Sequence, residues 1–598
     1  MELPRWSVSD LHESFDSRSF ADAMERVGAE VTRLEALYDE LGIRALPPRP
    51  VTAADGEAAD RLVAAINQYR EHAEVTEAYI YATTSTNSFD QRADGLLAEF
   101  TMQSVRERPL TARLADWVAS LGVDALATVS NEVAEHRGPL AKLAARAEHQ
   151  MTEVEESLYA QLLPSGSQAW QHLHQVTTSQ LDATVQHPDG SSDRLPMAAV
   201  RGMATSGDAA VRRAAYDAEL AAWPSVAATC AAALNAVKGE ANVVNQRRGW
   251  ASPLDASLFA NSVSRRTFDA MQEAVTDALP ACRQWMRSKS ALLGNAGAMP
   301  WWDLFAPLPF APPSISWDEG VGIVRTAFGS YGGPLAGLMD RALDEQWIDA
   351  GPRPGKSGGA FCMPFVDDRS LVFLNWSGSV DSAQTTAHEL GHAYHNTQLA
   401  PRTMMQRAVP MALAETASIF CETLVVEEGL QRLQGRDRLC MLDTDLIGSL
   451  QVVVDIRSRF LFETELFARR QRRTLGADEL CELMKAAQLE AYGDGLDQTT
   501  AHPYMWAVKP HYYSSHFYNW PYTYGLLFGL GLFAQYQADP ERFKAHYDDA
   551  LSRAGMNTAE ELGAVFGFDV TDGAFWTASL DVIRARMTAF EELADEVA

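Results

Sequence analysis

The pentapeptide His388-Glu389-Leu390-Gly391-His392 constrains this chain more than any other stretch of it. Two histidines four residues apart can work together on an α-helix, where they lie about 40° apart on one face. Imidazoles so placed reach a single metal ion at roughly 2 Å, the distance zinc takes from neutral histidine nitrogens. Glu389 falls about 80° off the middle of that face by the same 3.6-residue arithmetic. It can flank the ion without ligating it and take a proton from an activated water.

The helix carrying this motif is expected to start at Asp381 or Ser382, either a suitable N-cap. Ala387, Leu390 and Ala393 supply packing surface, and Gly391 lets another element come close. Glycine costs a helix about 1 kcal/mol against alanine, so crowding at the site is a reason for it.

A third ligand is needed. His395 shares the face of His388 but lies about 10.5 Å along the axis, so a surface or supporting role suits it better. Glu415 is the stronger candidate. Pro410 suits a first helical turn, and residues 411–428 then read as one helix ending at Gly429. On it Glu415, Ser418, Ile419 and Glu422 share a face, and carboxylates among apolar neighbours call for a positive partner. Glu422 is read as supporting the site and not as a ligand. Two histidines and one carboxylate leave a coordination position open, as in catalytic zinc sites. The six cysteines include no C-x-x-C pair, which disfavours a thiolate zinc knot and a disulfide framework.

The acidic balance of the 598-residue chain, a formal net charge of −29, makes nucleic acid and anionic membranes poor partners. Cysteines without C-x-x-C pairs suit a reducing compartment. Residues 1–6 show no signal peptide, and the most apolar run, 525–533, is far shorter than the ~20 residues that cross a bilayer. A cytoplasmic location is expected.

Apolar residues recur every three or four positions over 20–41, 56–81, 93–105 and 132–162, so the first part reads as amphipathic helices. Around 180–195 a strand followed by His187-Pro188-Asp189-Gly190 suggests a turn and a boundary. An N-terminal helical region, 1–190, would then precede a catalytic region, 191–598. Helical pattern resumes over 197–293, a proline-rich loop spans 300–313, and 318–346 is helical again. Two apolar runs, 360–366 and 370–376, joined by Asp367-Asp368-Arg369, read as a β-hairpin directly before the metal-binding helix.

HELGHAYH (388–395) followed by ALAETASIFCE (412–422) resembles the M3 family of zinc metallopeptidases, its oligoendopeptidase F-like branch in particular. GKSGGAF (355–361), DLFAP (303–307), and PHYY (510–513) with FYNWPYTYG (517–525) resemble further segments of that branch. The resemblance implies a mainly α fold, large and two-lobed, enclosing a deep channel, with a small β element beside the zinc helix. It also implies cleavage of short unstructured peptides, and points to His511, Tyr518 and Tyr522 as donors to the carbonyl oxygen under attack.

The expected activity is that of a zinc-dependent endopeptidase. His388, His392 and Glu415 hold one Zn²⁺ per chain, and Glu389 is the general base towards zinc-activated water. A helical HExGH carboxypeptidase is a rival, with Lys356, Arg369, Arg402 or Lys509 gripping the terminal carboxylate. A protein that binds zinc or peptides without hydrolysis is the other. Oligomeric state and cleavage preference are not legible.

Overall fold

The computed structural model describes residues 3–47, 49–187, 189–310, 314–515 and 517–597. Pro188 of the expected turn, the end of the proline-rich loop at 311–313, Met1 and Glu2, and His516 beside the aromatic segment lie outside them. The chain is mainly α-helical. Five short strands are the named extended elements among the described residues: β1 (Asp182–Gln186), β2 (Ser192–Pro196), β3 (Ile348–Asp349), β4 (Phe361–Pro364) and β5 (Ser370–Phe373). No single helix among these residues is long and apolar enough to cross a membrane.

Two compact units interleave along the chain. One comprises Met1–His149, Ser314–Glu428 and Gln535–Phe568, and the other Gln150–Pro313, Gly429–Ala534 and Asp569–Ala598. Residue 190, the expected boundary, lies inside the second.

In the first unit, helix Arg18–Glu40 buries Phe20, Val27, Val31 and Leu34, the i, i+4, i+7 spacing of one face. These join Leu62, Val63 and Ile66 of helix Ala53–Thr86, and Phe365 and Leu371 of the hairpin, in one core. The run 132–162 is not one helix. It breaks into Asn131–Glu135, Arg137–Ala147 and Glu153–Leu162. The last has its own capping box: Thr152 Oγ1 accepts from Glu155 N, and the Glu155 carboxylate accepts from Thr152 N.

The expected hairpin forms from β4 and β5 in antiparallel register, Phe361 opposite Phe373 and Pro364 opposite Ser370, with Asp367 at φ 56° in the turn. A third strand extends it. β3 pairs in parallel with β5, giving the order β3-β5-β4, so β5 is central and buried while β4 is an edge. Lys356 ties the glycine-rich segment to this sheet. Its Nζ donates to the carbonyls of Asp349 (3.0 Å), Gly351 (3.1 Å) and Leu374 (2.5 Å) and to Asp349 Oδ1 (2.7 Å).

In the second unit β1 and β2 form an antiparallel hairpin, Asp182 opposite Pro196. Ala183 and Val185 of β1 point into a core with Cys230, Leu234, Phe462, Leu466, Trp506, Tyr512 and Tyr513.

Candidate metal centre

Helix Val380–Leu399 carries the HELGH motif and starts at Ser379, whose Oγ accepts from Ser382 N at 3.1 Å. The expected caps, Asp381 and Ser382, lie in its first turn. Ala383, Ala387, Leu390 and Ala393 are fully buried on it. Burying a leucine such as Leu390 contributes about 1.5–3 kcal/mol, which anchors the middle of the motif. At the far end Asn396 Nδ2 donates to Ser370 Oγ on β5 at 3.0 Å.

The stretch after Pro410 is not the single helix its periodicity suggests. Helix Met411–Ala414 stops at Glu415, and a second helix, Ser418–Arg432, runs past Gly429. Thr416 makes the break, its hydroxyl donating back to Leu413 O at 2.5 Å. Glu415 therefore sits in a tight turn, and that turn presses against the HELGH helix. A Cβ on Gly391 would lie 2.6 Å from Ser418 Cα and 2.7 Å from Ala417 O, both backbone atoms. Glycine is needed for this approach. Gly391→Ala is expected to weaken zinc affinity by at least about tenfold, the lower end for disturbed ligand support, despite alanine's better helix propensity. Titration against a competing chelator measures this, and unchanged affinity would show the contact to be dispensable.

The donors converge. His388 Nε2 lies 3.3 Å and His392 Nε2 3.5 Å from Glu415 Oε2, and the three residues' ligand atoms fall within 4.8 Å of one another. Their two rings are 5.0 Å apart at 82°. His388 Nδ1 donates to Glu422 Oε2 at 3.0 Å, which places the lone pair of the neutral ring on Nε2 once a metal displaces the proton there. His392 bonds to the Ala414 carbonyl. Ser418, a residue whose role the sequence did not reveal, donates from Oγ to Glu415 Oε2 at 2.6 Å. His395 is buried and is not a surface residue; its Nε2 bonds to Leu551 O at 3.1 Å, so it braces the helix from behind.

The electrostatics suit a cation. Burial opposes charge on His388, yet the hydrogen bonds it donates to Glu415 and Glu422 hold its pKa well above the ordinary histidine value. Burial alone would raise Glu415, but His388 and His392 bring it down to about 2. Burial lowers His392 to about 4, leaving it neutral and free to ligate. Glu389 is pushed up to about 7, first by burial and further by Glu415 and Glu422, against His388. Its Oε2 is buried with no hydrogen-bond partner among the described residues. Two imidazoles, an ionised carboxylate and an orphaned carboxylate oxygen beside them fit a divalent ion with a working base.

His511, Tyr518 and Tyr522 belong to the second unit, where they cluster. The His511 and Tyr518 rings stack at 4.7 Å and 7°, and the Tyr518 and Tyr522 hydroxyls are 3.3 Å apart. His511 Nδ1 has no partner among the described residues, and burial lowers its pKa, with Arg459 and Lys509 adding to the effect.

The family described as Peptidase family M3 matches residues 338–582, which include every residue of the metal centre and of the aromatic cluster. An oligoendopeptidase F homolog of Lactococcus lactis subsp. lactis (strain IL1403) is 23% identical over 76% of each chain. The group B oligopeptidase PepB of Streptococcus agalactiae is 24% identical over 65% of each. The crystal structure of oligoendopeptidase-F from Enterococcus faecium superposes with a TM-score of 0.72 at 18% identity, covering 97% of this chain and 99% of that one. On the family match over residues 338–582 and these relatives, the chain is similar to the M3 peptidases, their oligoendopeptidase F-like branch in particular, a likeness that marks it as a metallo-endopeptidase.

Proposed function

We propose that the protein cuts internal bonds of short unstructured peptides, with His388, His392 and Glu415 holding one zinc ion. The observation that carries this is the convergence of those three donors beside the orphaned Glu389 carboxylate. Bound there, zinc supplies Lewis-acid polarisation of the scissile carbonyl and of the attacking water. Glu389 takes the proton of that water and delivers it to the leaving amine nitrogen. Glu422 keeps the His388 proton on Nδ1, and Ser418 holds the Glu415 oxygen in place. His511, Tyr518 and Tyr522 are proposed as donors to the carbonyl oxygen as it gains charge. β4, an edge strand, offers its free side to an extended peptide backbone.

The carboxypeptidase reading needs a cation free to grip a terminal carboxylate. Lys356 has four acceptors, Arg369 is paired with Asp10, and Arg402 donates to Ser552 O and Oγ. Three of its four candidates are thus already engaged, which favours internal cleavage. The six cysteines are all free thiols, in keeping with the cytoplasmic setting we propose.

A peptide blocked at both ends, run beside the same peptide with a free C-terminus, separates the readings. Mass spectrometry is expected to show internal cuts that stop with a chelator and return with zinc. Products appearing only by stepwise loss from an unblocked C-terminus would favour the trimming enzyme. Zinc retained with no products at all would favour a binding protein.

A further inference from the structure

Two charged side chains in the second unit have no part in the chemistry above, yet both are buried: Lys238 is 0% exposed and Glu463 is 1% exposed. They come from helices Pro224–Arg247 and Ile456–Arg470 and meet at 2.5 Å between Nζ and Oε1. Each also bonds to backbone just ahead of Tyr518. Lys238 Nζ donates to Ser515 O at 2.9 Å, and Glu463 Oε1 accepts from Phe517 N at 3.1 Å.

Phe517 is one of only four non-glycine residues with positive φ among those described, at 47°. A bulky side chain rarely adopts that region unless its surroundings over-determine it. Here they do. The Phe517 ring stacks on Phe467 at 5.1 Å, and its carbonyl accepts from Ser257 Oγ at 3.2 Å. Ser257 Oγ in turn accepts from Trp520 Nε1 at 2.9 Å, while Arg459 Nη1 donates to Asn519 Oδ1 at 3.1 Å. Tyr518 thus stands between two residues that are each fixed from below.

A buried ion pair is a poor way to gain stability, because desolvation cancels much of the attraction and an apolar pair of similar size serves as well. What this pair provides is an acceptor for one backbone N–H and a donor for one backbone carbonyl at a strained turn. We propose that Lys238 and Glu463 are positioning residues, a buried clamp that fixes the backbone entering Tyr518 and through it sets the turnover rate. The proposal rests on the reading of the aromatic cluster as carbonyl-oxygen donors.

The test compares Lys238→Met/Glu463→Leu with Tyr518→Phe and with the triple variant, all as zinc-loaded full chains. The double variant is expected to keep its zinc and its fold, and to lose about 10–100-fold in kcat with KM within about threefold, as for an interaction made only in the transition state. Hydrogen exchange over Phe517–Tyr522 is expected to speed up, a change that needs no turnover to be seen. In the Tyr518→Phe background the clamp substitutions are expected to cost less than about threefold more, since the two act as one unit. Unchanged exchange, or unchanged kcat, overturns the clamp. If Tyr518→Phe alone turns over at the wild-type rate, the donor role of Tyr518 fails and the clamp's route to the turnover rate is overturned with it, whereas a slow Tyr518→Phe with an unaffected double variant overturns the clamp alone. Glu463→Gln, which keeps shape and one acceptor oxygen, is expected to lie between wild type and the double variant. Should the double variant fail to fold, Glu463→Gln takes its place: faster exchange with lower kcat supports the clamp, and either one unchanged overturns it.

Discussion

Glu389→Gln is expected to leave zinc bound at wild-type stoichiometry while lowering kcat by about 10²–10⁴-fold, the usual share of a positioned general base. That corresponds to about 3–5 kcal/mol of lost transition-state stabilisation. Glutamine keeps the size of the side chain in a position only 5% exposed, so packing is undisturbed. The ligand geometry rests on Glu422, Ser418 and the Ala414 carbonyl, none of which bonds to Glu389. What the amide cannot do is accept a proton. The carboxyl group is suited to that task because burial, reinforced by Glu415 and Glu422, raises it to about 7, a base strong enough to deprotonate and still able to release the proton. Metal analysis alongside steady-state cleavage of a quenched fluorescent peptide measures both halves. Cleavage within a few-fold of wild type would remove Glu389 from the mechanism.

The parts of this site that sequence alone made legible are those governed by local periodicity. A spacing of four puts His388 and His392 on one helical face whatever surrounds them, and Gly391 announces a close neighbour. The neighbour's backbone path was not legible. Residues 411–428 have helical periodicity throughout, but the Thr416 hydroxyl competes for Leu413 O and turns the chain just where Glu415 must face the histidines. The break before Glu153 was signalled by Thr152 and Glu155, a capping-box pair hidden inside an otherwise continuous apolar pattern. β3 had no such signal, since two residues are too few for any period to show. Supports that depend on tertiary structure left no trace either. Lys238 and Glu463 stand 225 positions apart, and nothing local to either marks it as buried.

Glu415→Ala is expected to have the opposite signature, losing metal and activity together. The carboxylate is held ionised down to about pH 2 by the two histidines, so at neutral pH it is the negative charge that balances a divalent ion. Without it His388 and His392 remain as two neutral ligands, and His388 loses one of its two hydrogen-bonding carboxylates, keeping Glu422. Zinc affinity is expected to fall by more than the 10–100-fold typical of losing a mere supporting residue. Thermal unfolding offers a second readout. Wild type at zinc about 100-fold above its dissociation constant gains about 2.7 kcal/mol from binding, and the variant at the same zinc concentration is expected to gain little. A zinc-dependent rise in Tm for wild type and almost none for the variant is therefore the expected pattern. The contrast with Glu389→Gln separates ligand from base on adjacent carboxylates of one site. Should Glu415→Ala keep full zinc occupancy and its thermal shift, the third ligand lies elsewhere and the turn at Thr416 has another purpose.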